Sequence, residues 1–474
     1  MIYLLYLLIT YQVTILLYFI VLNTGYTFIT FFSFFYIKNV ADVAPNLRQL
    51  MQLTELSNLR PMTLVIPAFN EEVNIRSTIS AAININYPEF EILIINDGST
   101  DNTLENLKDW LELVAVRRPA KMSIPTERVR CVYVSKKYHD LWVIDKENGG
   151  KADALNTGLS YGRFPLFCAV DADSLLEQDA MLRVGHEFLV NKELVAVGGS
   201  IRVLNGCNVQ DSKVTKIRAP DNFLAIIQIA EYLRGFLAGR IAWGEYNSLL
   251  IISGAFGVFR KDLLLAIGGY RKTVGEDMDL VLRLHQYCIN NKIKYKVSFL
   301  SGPACWTQVP SDILTLLRQR NRWQRGLFDS LWYNRKMLFN PRYGKIGLIG
   351  LPYYFIFELL GPIIEFIGYF SFLIFWHFQL LSPIYIALFL AVSVFWGMWL
   401  NTSAVLLDTY TLNRYEKVSD IYKIALLGSL DYLGYRQILA VERFIATFQV
   451  WRSHWGVMKR KPMTEMEKIN VRPV

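Results

Sequence analysis

The chain has 474 residues, 53 % of them hydrophobic, and a mean hydropathy of +0.24. That excludes an ordinary soluble protein and leaves room for one or two soluble domains with membrane segments. A formal net charge of +9 suits anionic lipid headgroups or a phosphorylated substrate, and with no basic helix or nucleic-acid motif in the chain, nucleic acid is not an expected partner. Five scattered cysteines (Cys131, Cys168, Cys207, Cys288, Cys305), without CxxC or metal spacing, fit a reducing cytosolic compartment.

No charged side chain occurs before Lys38, and such a run exceeds the roughly 20 residues that span a bilayer. No small-residue cleavage site follows, so residues 1–37 are expected to be a transmembrane anchor rather than a removed signal peptide. Lys38 and Arg48 place the next domain, residues 38–340, in the cytoplasm. From about residue 60 to 310, strand and helix patterns alternate, the signature of an α/β domain. Met62–Pro67 reads as the first strand, and Asn70 is expected to cap a helix starting at Glu71-Glu72. Glu91–Asn96, Val129–Val134, Leu166–Val170, Leu194–Ser200 and Ile251–Phe259 read as further strands. Lys151–Tyr161 and Asp279–Tyr287 read as helices.

Phe223–Trp243 is apolar at helical spacing but carries Glu231, Arg234 and Arg240. It is expected to lie on the membrane surface, with core packing as the alternative. Ser311 is expected to cap an arginine- and tryptophan-rich helix through Trp332. Residues 341–474 turn hydrophobic again. An interfacial or re-entrant piece interrupted by Pro352 is expected to precede a span from about 358 to 378, with another over Leu380–Leu406. Ala425–Trp455 holds Asp431, Arg436, Glu442 and Arg443, which are costly at mid-bilayer, so it reads as interfacial. Its basic end (Arg452, Lys459, Arg460, Lys461) favours a cytoplasmic C-terminus, and the total is three spans with a fourth as alternative.

Chemistry is concentrated in a few short stretches. Phe167–Val170 runs apolar into Asp171-Ala172-Asp173, which puts two carboxylates at the carboxyl end of a strand, where ligands bind in α/β sheets. Hard oxygen donors there suit Mg²⁺ or Mn²⁺ bridging to substrate phosphates; solvated or capping aspartates are the plainer alternative. Asp97 ends a strand before Gly98 and can accept from a base or ribose, or simply make a turn. Asn148-Gly149-Gly150-Lys151 joins a flexible turn, a lysine and a helix start, which suits a phosphate. Glu276-Asp277 precedes a helix, and Asp277 can act as general base or as a cap. In Gln319-Arg320-Asn321-Arg322-Trp323, Arg322 can pair with a diphosphate and Trp323 can stack on a sugar.

Taken in order, Pro67–Glu72, Asn96–Ser99, Lys151, Asp171-Ala172-Asp173, Glu276-Asp277 and Gln319-x-x-Arg322-Trp323 resemble the membrane-embedded family 2 glycosyltransferases. The similarity is to the processive branch: cellulose, hyaluronan, chitin and poly-N-acetylglucosamine synthases. It is close over about residues 60–330 and architectural in the hydrophobic flanks. The resemblance implies an α/β, GT-A (Rossmann-like) cytosolic catalytic domain flanked by transmembrane and interfacial helices. It implies a metal-dependent inverting enzyme that builds a β-linked polysaccharide from a UDP-sugar. Glu72 and Asp97 would hold uridine, Lys151 the diphosphate, Asp171 the ribose and diphosphate, and Asp173 the Mg²⁺ or Mn²⁺. Asp277 would be the base, with Glu276 beside it at the acceptor, and Gln319, Arg322 and Trp323 would close over diphosphate and acceptor. Gly275 stands where the family usually has Thr, and the spans are fewer than in cellulose or hyaluronan synthases. Export of a polymer is therefore expected to need oligomerisation or an accessory subunit, unless the acceptor is a lipid that takes a single sugar. An inactive nucleotide-sugar-binding subunit is the remaining reading.

Overall fold

The computed structural model of the chain describes residues 2–43, 59–121, 124–412 and 414–450. Arg48 and the basic stretch from Arg452 to Lys461 lie outside them.

Buried apolar runs build one mixed sheet. Its strands are β1 (Met62–Ala68), β2 (Phe90–Asp97), β3 (Leu113–Ala115), β4 (Val129–Ser135), β5 (Leu141–Lys146), β6 (Leu166–Ala169) and β7 (Ser174–Leu176), followed by β8 (Leu194–Val203), β11 (Gly257–Arg260) and β12 (Lys296–Thr307). β9 (Asn208–Gln210) and β10 (Lys213–Lys216) form a separate hairpin. The spatial order is β3-β4-β5-β2-β1-β6-β11-β8-β12-β7. β5, β2, β1 and β6 run parallel, β11 is antiparallel to both its neighbours, and β8 pairs in parallel with β12. Near-continuous apolar sequence in β1, β2 and β8 follows from helices covering both faces. The carboxyl ends of β1, β2, β5 and β6 therefore open on one rim.

The helix Lys151–Tyr161 lies across this sheet with Gly158 against β1, where a Cβ would come within 2.5 Å of Val65 Cγ1. Only a hydrogen at that position lets the helix settle and fixes its first residue, Lys151, at the rim. Beneath, Glu91 is 0 % exposed and its carboxylate accepts from Arg118, Thr63 Oγ1 (2.8 Å) and the Arg163 N–H (2.7 Å). A buried carboxylate without such partners would be costly.

Several expectations shift. The first helix after β1 begins at Ile75, with Asn74 at its N-cap, rather than at Glu71. Asn70 is left-handed (φ 55) and its Oδ1 accepts from the Thr100 N–H (2.8 Å), so it ties two loops together instead of capping. Residues 251–256 are not a strand, because they pass under Lys151 as irregular backbone, and β11 starts only at Gly257. Asp312, not Ser311, caps Ile313–Tyr333, accepting from Thr315 N–H at 2.9 Å. The chain does not stay extended through Asp171 and Asp173. It turns, closed by Ser174 N–H to Asp171 O (3.1 Å). β5, β12 and the helix Ala180–Val190 are additions to the sequence reading.

Three helical stretches among the described residues are long and apolar enough to cross a membrane: Tyr6–Lys38, Ile346–His377 and Pro383–Thr411. They pack through polar contacts, such as Asn23 Nδ2 to Val392 O (2.7 Å) and Tyr26 OH to Glu358 Oε1 (2.7 Å). The stretch around Pro352 is helical, with wide π turns at Ile346–Gly350 and Tyr354–Leu359 absorbing the missing donor, and the chain bends at Leu360 before Gly361-Pro362. Phe223–Tyr232 continues as a π-helix, Leu233–Gly239, then Arg240–Glu245. This segment is not laid on lipid. It is buried between the sheet and the apolar helices, with Ile226, Ile227 and Ala230 at 0–1 % exposure. Of Ala425–Trp455, residues 451–455 lie outside the described residues, and the rest belongs to two short helices, Val418–Ser429 and Tyr435–Thr447, separated by the turn at residues 430–434. Each is too short to span.

Gly158→Ala tests the helix placement. Overpacking against Val65 should lower stability by about 1–3 kcal/mol, read as a drop in apparent Tm of detergent-purified protein.

Candidate active site

One cavity of about 1800 Å³ opens at the sheet rim and continues between the apolar helices. That is roughly twice the upper size of an ordinary ligand pocket, so it has room for two substrates side by side. Asp97, Lys151, Asp171, Asp173, Glu276, Asp277, Gln319, Arg322 and Trp323 all line it. Of the sequence candidates only Glu72 does not. Its carboxylate accepts from the Asn102 N–H (3.1 Å) at the start of Thr103–Leu111, and Glu71 lines the cavity instead.

At the centre, Lys151 Nζ lies 2.7 Å from Asp171 Oδ1 and 3.2 Å from Glu276 Oε1. Burial alone would lower the Lys151 pKa, but the two carboxylates outweigh it and the ammonium is held well above its ordinary value. Glu276 is pushed up by burial, against the pull of Lys151. A Cβ on Gly254 would stand 2.4 Å from Lys151 Nζ, so the glycine is what admits the ammonium. Nothing in its isolated Ser-Gly context signals that role; the approach depends on a helix start about 100 residues away.

Asp97, 3 % exposed, is heavily engaged: it accepts from Lys146 Nζ (2.7 Å) and from the N–H groups of Gly149 (3.0 Å) and Gly150 (2.7 Å). It locks the turn that delivers Lys151. Lys146, fully buried, also meets Asp153 at 2.6 Å.

Asp171 and Asp173 offer hard oxygen donors at the rim, and the described residues contain no cluster of three or more His, Cys, Asp or Glu able to hold a metal. This donor set does not make an all-protein cage. It does fit Mg²⁺ or Mn²⁺, which take one or two carboxylates and complete their shell with waters and phosphate oxygens.

Glu276 and Asp277 do not precede a helix but form the first turn of Glu276–Asn290, and this turn is docked on the helix Ile313–Tyr333 through two glycines. A Cβ on Gly275 would be 2.3 Å from Gly326 O, and Ser330 Oγ donates to Gly275 O at 3.0 Å. Any side chain at 275 would separate the two. On the same helix Trp323 is 42 % exposed to the cavity, and the Arg320 guanidinium lies 4.1 Å from its ring. Arg320 is fixed by Glu231 Oε2 (2.6 Å), which also accepts from Tyr435 OH (3.1 Å). Deeper still, Arg436 pairs with Glu365 (3.0 Å) and Arg443 with Glu358 (3.6 Å). These charges are affordable at that depth because each is paired on a water-accessible wall.

Two family descriptions match the chain: Glycosyl transferase family 2 over residues 63–266 and Glycosyl transferase family group 2 over residues 167–400. The poly-beta-1,6-N-acetyl-D-glucosamine synthase of Staphylococcus epidermidis is 28 % identical over 267 residues, covering 56 % of this chain and 54 % of that protein. The Staphylococcus aureus synthase is 28 % identical over 270 residues, 56 % of this chain and 55 % of that protein. The chain thus spans about half the length of the curated relatives it matches. The mannosyltransferase PcManGT from Pyrobaculum calidifontis, solved with GDP-Man and Mn²⁺, superposes with a TM-score of 0.50 at 15 % identity, covering 92 % of this chain and 99 % of that one. That likeness concerns the GT-A fold.

Asp431, on the cavity wall in the turn before Tyr435, has its pKa pushed up to about 6 by burial, against Arg234 and Arg436. A raised folded-state pKa means ionisation opposes folding. The penalty is absent below the unfolded value near 4, grows through pH 6 and is complete above it. Asp431→Asn should therefore raise apparent stability by about 3 kcal/mol at pH 8, with the gain fading as pH falls toward 4 in a pH series of thermal melts.

Proposed function

We propose that this chain, whose residues 63–266 match the Glycosyl transferase family 2 description, transfers sugars from a UDP-sugar with inversion and extends a β-linked polysaccharide at the membrane. UDP-N-acetylglucosamine is the donor to test first, because the two staphylococcal relatives are named as poly-N-acetylglucosamine synthases. The observation that carries the reading is a single cavity in which the Lys151 ammonium lies between Asp171 and Glu276, with Asp173, Asp277 and the Trp323 ring lining the same space.

In this reading Asp97 and the loop bearing Glu71 and Glu72 take the uridine, while Lys151 and Arg322 bind the diphosphate and Asp171 orients it. Asp173, with Asp171, would hold Mg²⁺ or Mn²⁺; when bound, the ion supplies charge neutralisation on the leaving diphosphate. Lys151 and Arg322 favour the same charge as it develops, which lowers the barrier selectively. Asp277 accepts the proton of the acceptor hydroxyl as that oxygen forms its bond to the anomeric carbon from the face opposite the diphosphate. The C–O bond to the diphosphate breaks, and UDP leaves with the electron pair. One displacement inverts the α-linked donor to a β-linkage and needs no protein nucleophile. Glu276 keeps Lys151 in register, and Trp323, with Gln319, holds the acceptor sugar against Asp277.

Purified protein in nanodiscs is tested with labelled UDP-N-acetylglucosamine and Mn²⁺, and products are sized by mass spectrometry. Polymer is the expected result. A single sugar on lipid would replace polymerisation by single transfer, and no turnover with any UDP-sugar would sink the reading. EDTA should abolish transfer. Asp277→Asn should bind UDP as wild type does yet lose about 10²–10⁴-fold in rate; loss of UDP binding instead would make Asp277 a donor-site residue.

The catalytic domain is proposed to face the cytoplasm with the N-terminus outside, as Lys38 and the basic stretch Arg414–Lys423 favour. In intact cells a cysteine introduced as Ile2→Cys should react with an impermeant thiol reagent and Cys131 should not; the reverse pattern would invert the topology.

A further inference from the structure

Arg240 is a feature that the transferase reading leaves unused. It opens the helix Arg240–Glu245, directly after the π-helix Leu233–Gly239. Wide π turns recur at functional sites because they re-aim side chains. Here Arg234, Phe236, Gly239, Arg240 and Trp243 all reach the cavity wall. The Arg240 guanidinium lies 3.9 Å from the Phe236 ring centroid and 5.9 Å from that of Phe299, which fixes its plane. Asp277 and Tyr354 are within its electrostatic reach.

The other arginines of this inner wall each have a carboxylate or hydrogen-bond partner, although Arg320 keeps Nε and Nη1 buried without one. Arg320 pairs with Glu231, Arg436 with Glu365 and Arg443 with Glu358, while Arg234 donates to Asn401 Oδ1 (2.7 Å) and Tyr432 OH (2.8 Å). Arg240 has no ion pair or side-chain hydrogen bond among the described residues, and its Nη1 is buried without a partner. A buried donor left unmet is costly. On the same cavity wall Tyr353, whose ring centroid lies 5.1 Å from that of Trp243, has its OH buried without a hydrogen-bond partner. Two orphaned donors and two flat rings on the wall of the cavity that holds Asp277 match a polyhydroxylated ligand, whose oxygens accept hydrogen bonds and whose ring faces stack.

We propose that Arg240 is an acceptor-binding residue, donating through Nη1 to an oxygen of the acceptor glycan and holding it on the side of Asp277 that faces the apolar helices. The inference rests on the transferase reading for its substrate class. Arg240 and Trp323 then grip the acceptor from two sides of the base, and donor binding does not involve Arg240.

The test uses the full chain in nanodiscs, with wild type, Arg240→Met and Arg240→Gln. Equilibrium binding of UDP and of a soluble β-linked N-acetylglucosamine oligomer is measured, together with the ratio of sugar transferred to the oligomer to sugar lost to water. In Arg240→Met, oligomer affinity should fall about tenfold or more, as for a lost charge-assisted hydrogen bond. UDP affinity should stay within about twofold, and the transfer-to-hydrolysis ratio should drop. Arg240→Gln, which keeps a neutral donor, should be intermediate. Parallel loss of UDP binding would assign Arg240 to the donor side and overturn the proposal. Unchanged oligomer affinity in both variants would leave it as packing. A wild type that binds oligomer through Arg240 yet transfers nothing from any UDP-sugar would sink the transferase reading and leave this inference standing.

Discussion

Lys151 is the joint on which the site depends. One ammonium is bound to Asp171 just after β6 and to Glu276, the first residue of the helix Glu276–Asn290. The two carboxylates come from segments more than 100 residues apart and would repel each other without a cation between them. Position and charge of Lys151 are set from below, by Gly158 on β1 and by the Asp97 clasp on Gly149 and Gly150. Remove any of these and the rim loses both its geometry and its charge balance.

The cavity beyond that joint changes character with depth. Near the sheet it is dominated by carboxylates balanced by Lys151. Toward the apolar helices it is a mosaic of arginine–carboxylate pairs among tyrosines. Pairing inside a low-dielectric wall is favourable only when each charge keeps both a partner and hydrogen bonds, and Glu231, shared by Arg320 and Tyr435, meets that condition. The same wall connects Trp323 to the helix Tyr435–Thr447, so the aromatic face of the site is anchored in the membrane-facing half of the molecule.

Much of this was legible in sequence, for identifiable reasons. β1, β2, β6 and β8 announce themselves as apolar runs ending at turn residues, and Asp97, Lys151 and Asp171 follow directly from those strand ends. β5 carries a readable apolar run in Leu141-Trp142-Val143-Ile144, although it is only four residues long before Asp145. β12 does not carry one: Ser301, Gly302 and Pro303 interrupt it, and its register on β8 shifts there. Glu71 and Glu72 cannot be told apart from sequence, since which one faces the cavity depends on the left-handed turn at Asn70. Glu231, Tyr435, Gly254 and Arg240 acquire meaning only from partners or voids supplied by distant segments, and no local pattern encodes that.

Gly275, against Gly326, has a mechanical consequence. Two peptide backbones in direct contact, with no side chain between them, leave no soft layer to absorb displacement. A tilt of the helix Ile313–Tyr333 is therefore passed undamped to Asp277, two residues beyond Gly275. Trp323 and Asp277 behave as two ends of one lever, so clamping a sugar and aligning the carboxylate that deprotonates it are a single motion rather than two events to be coordinated.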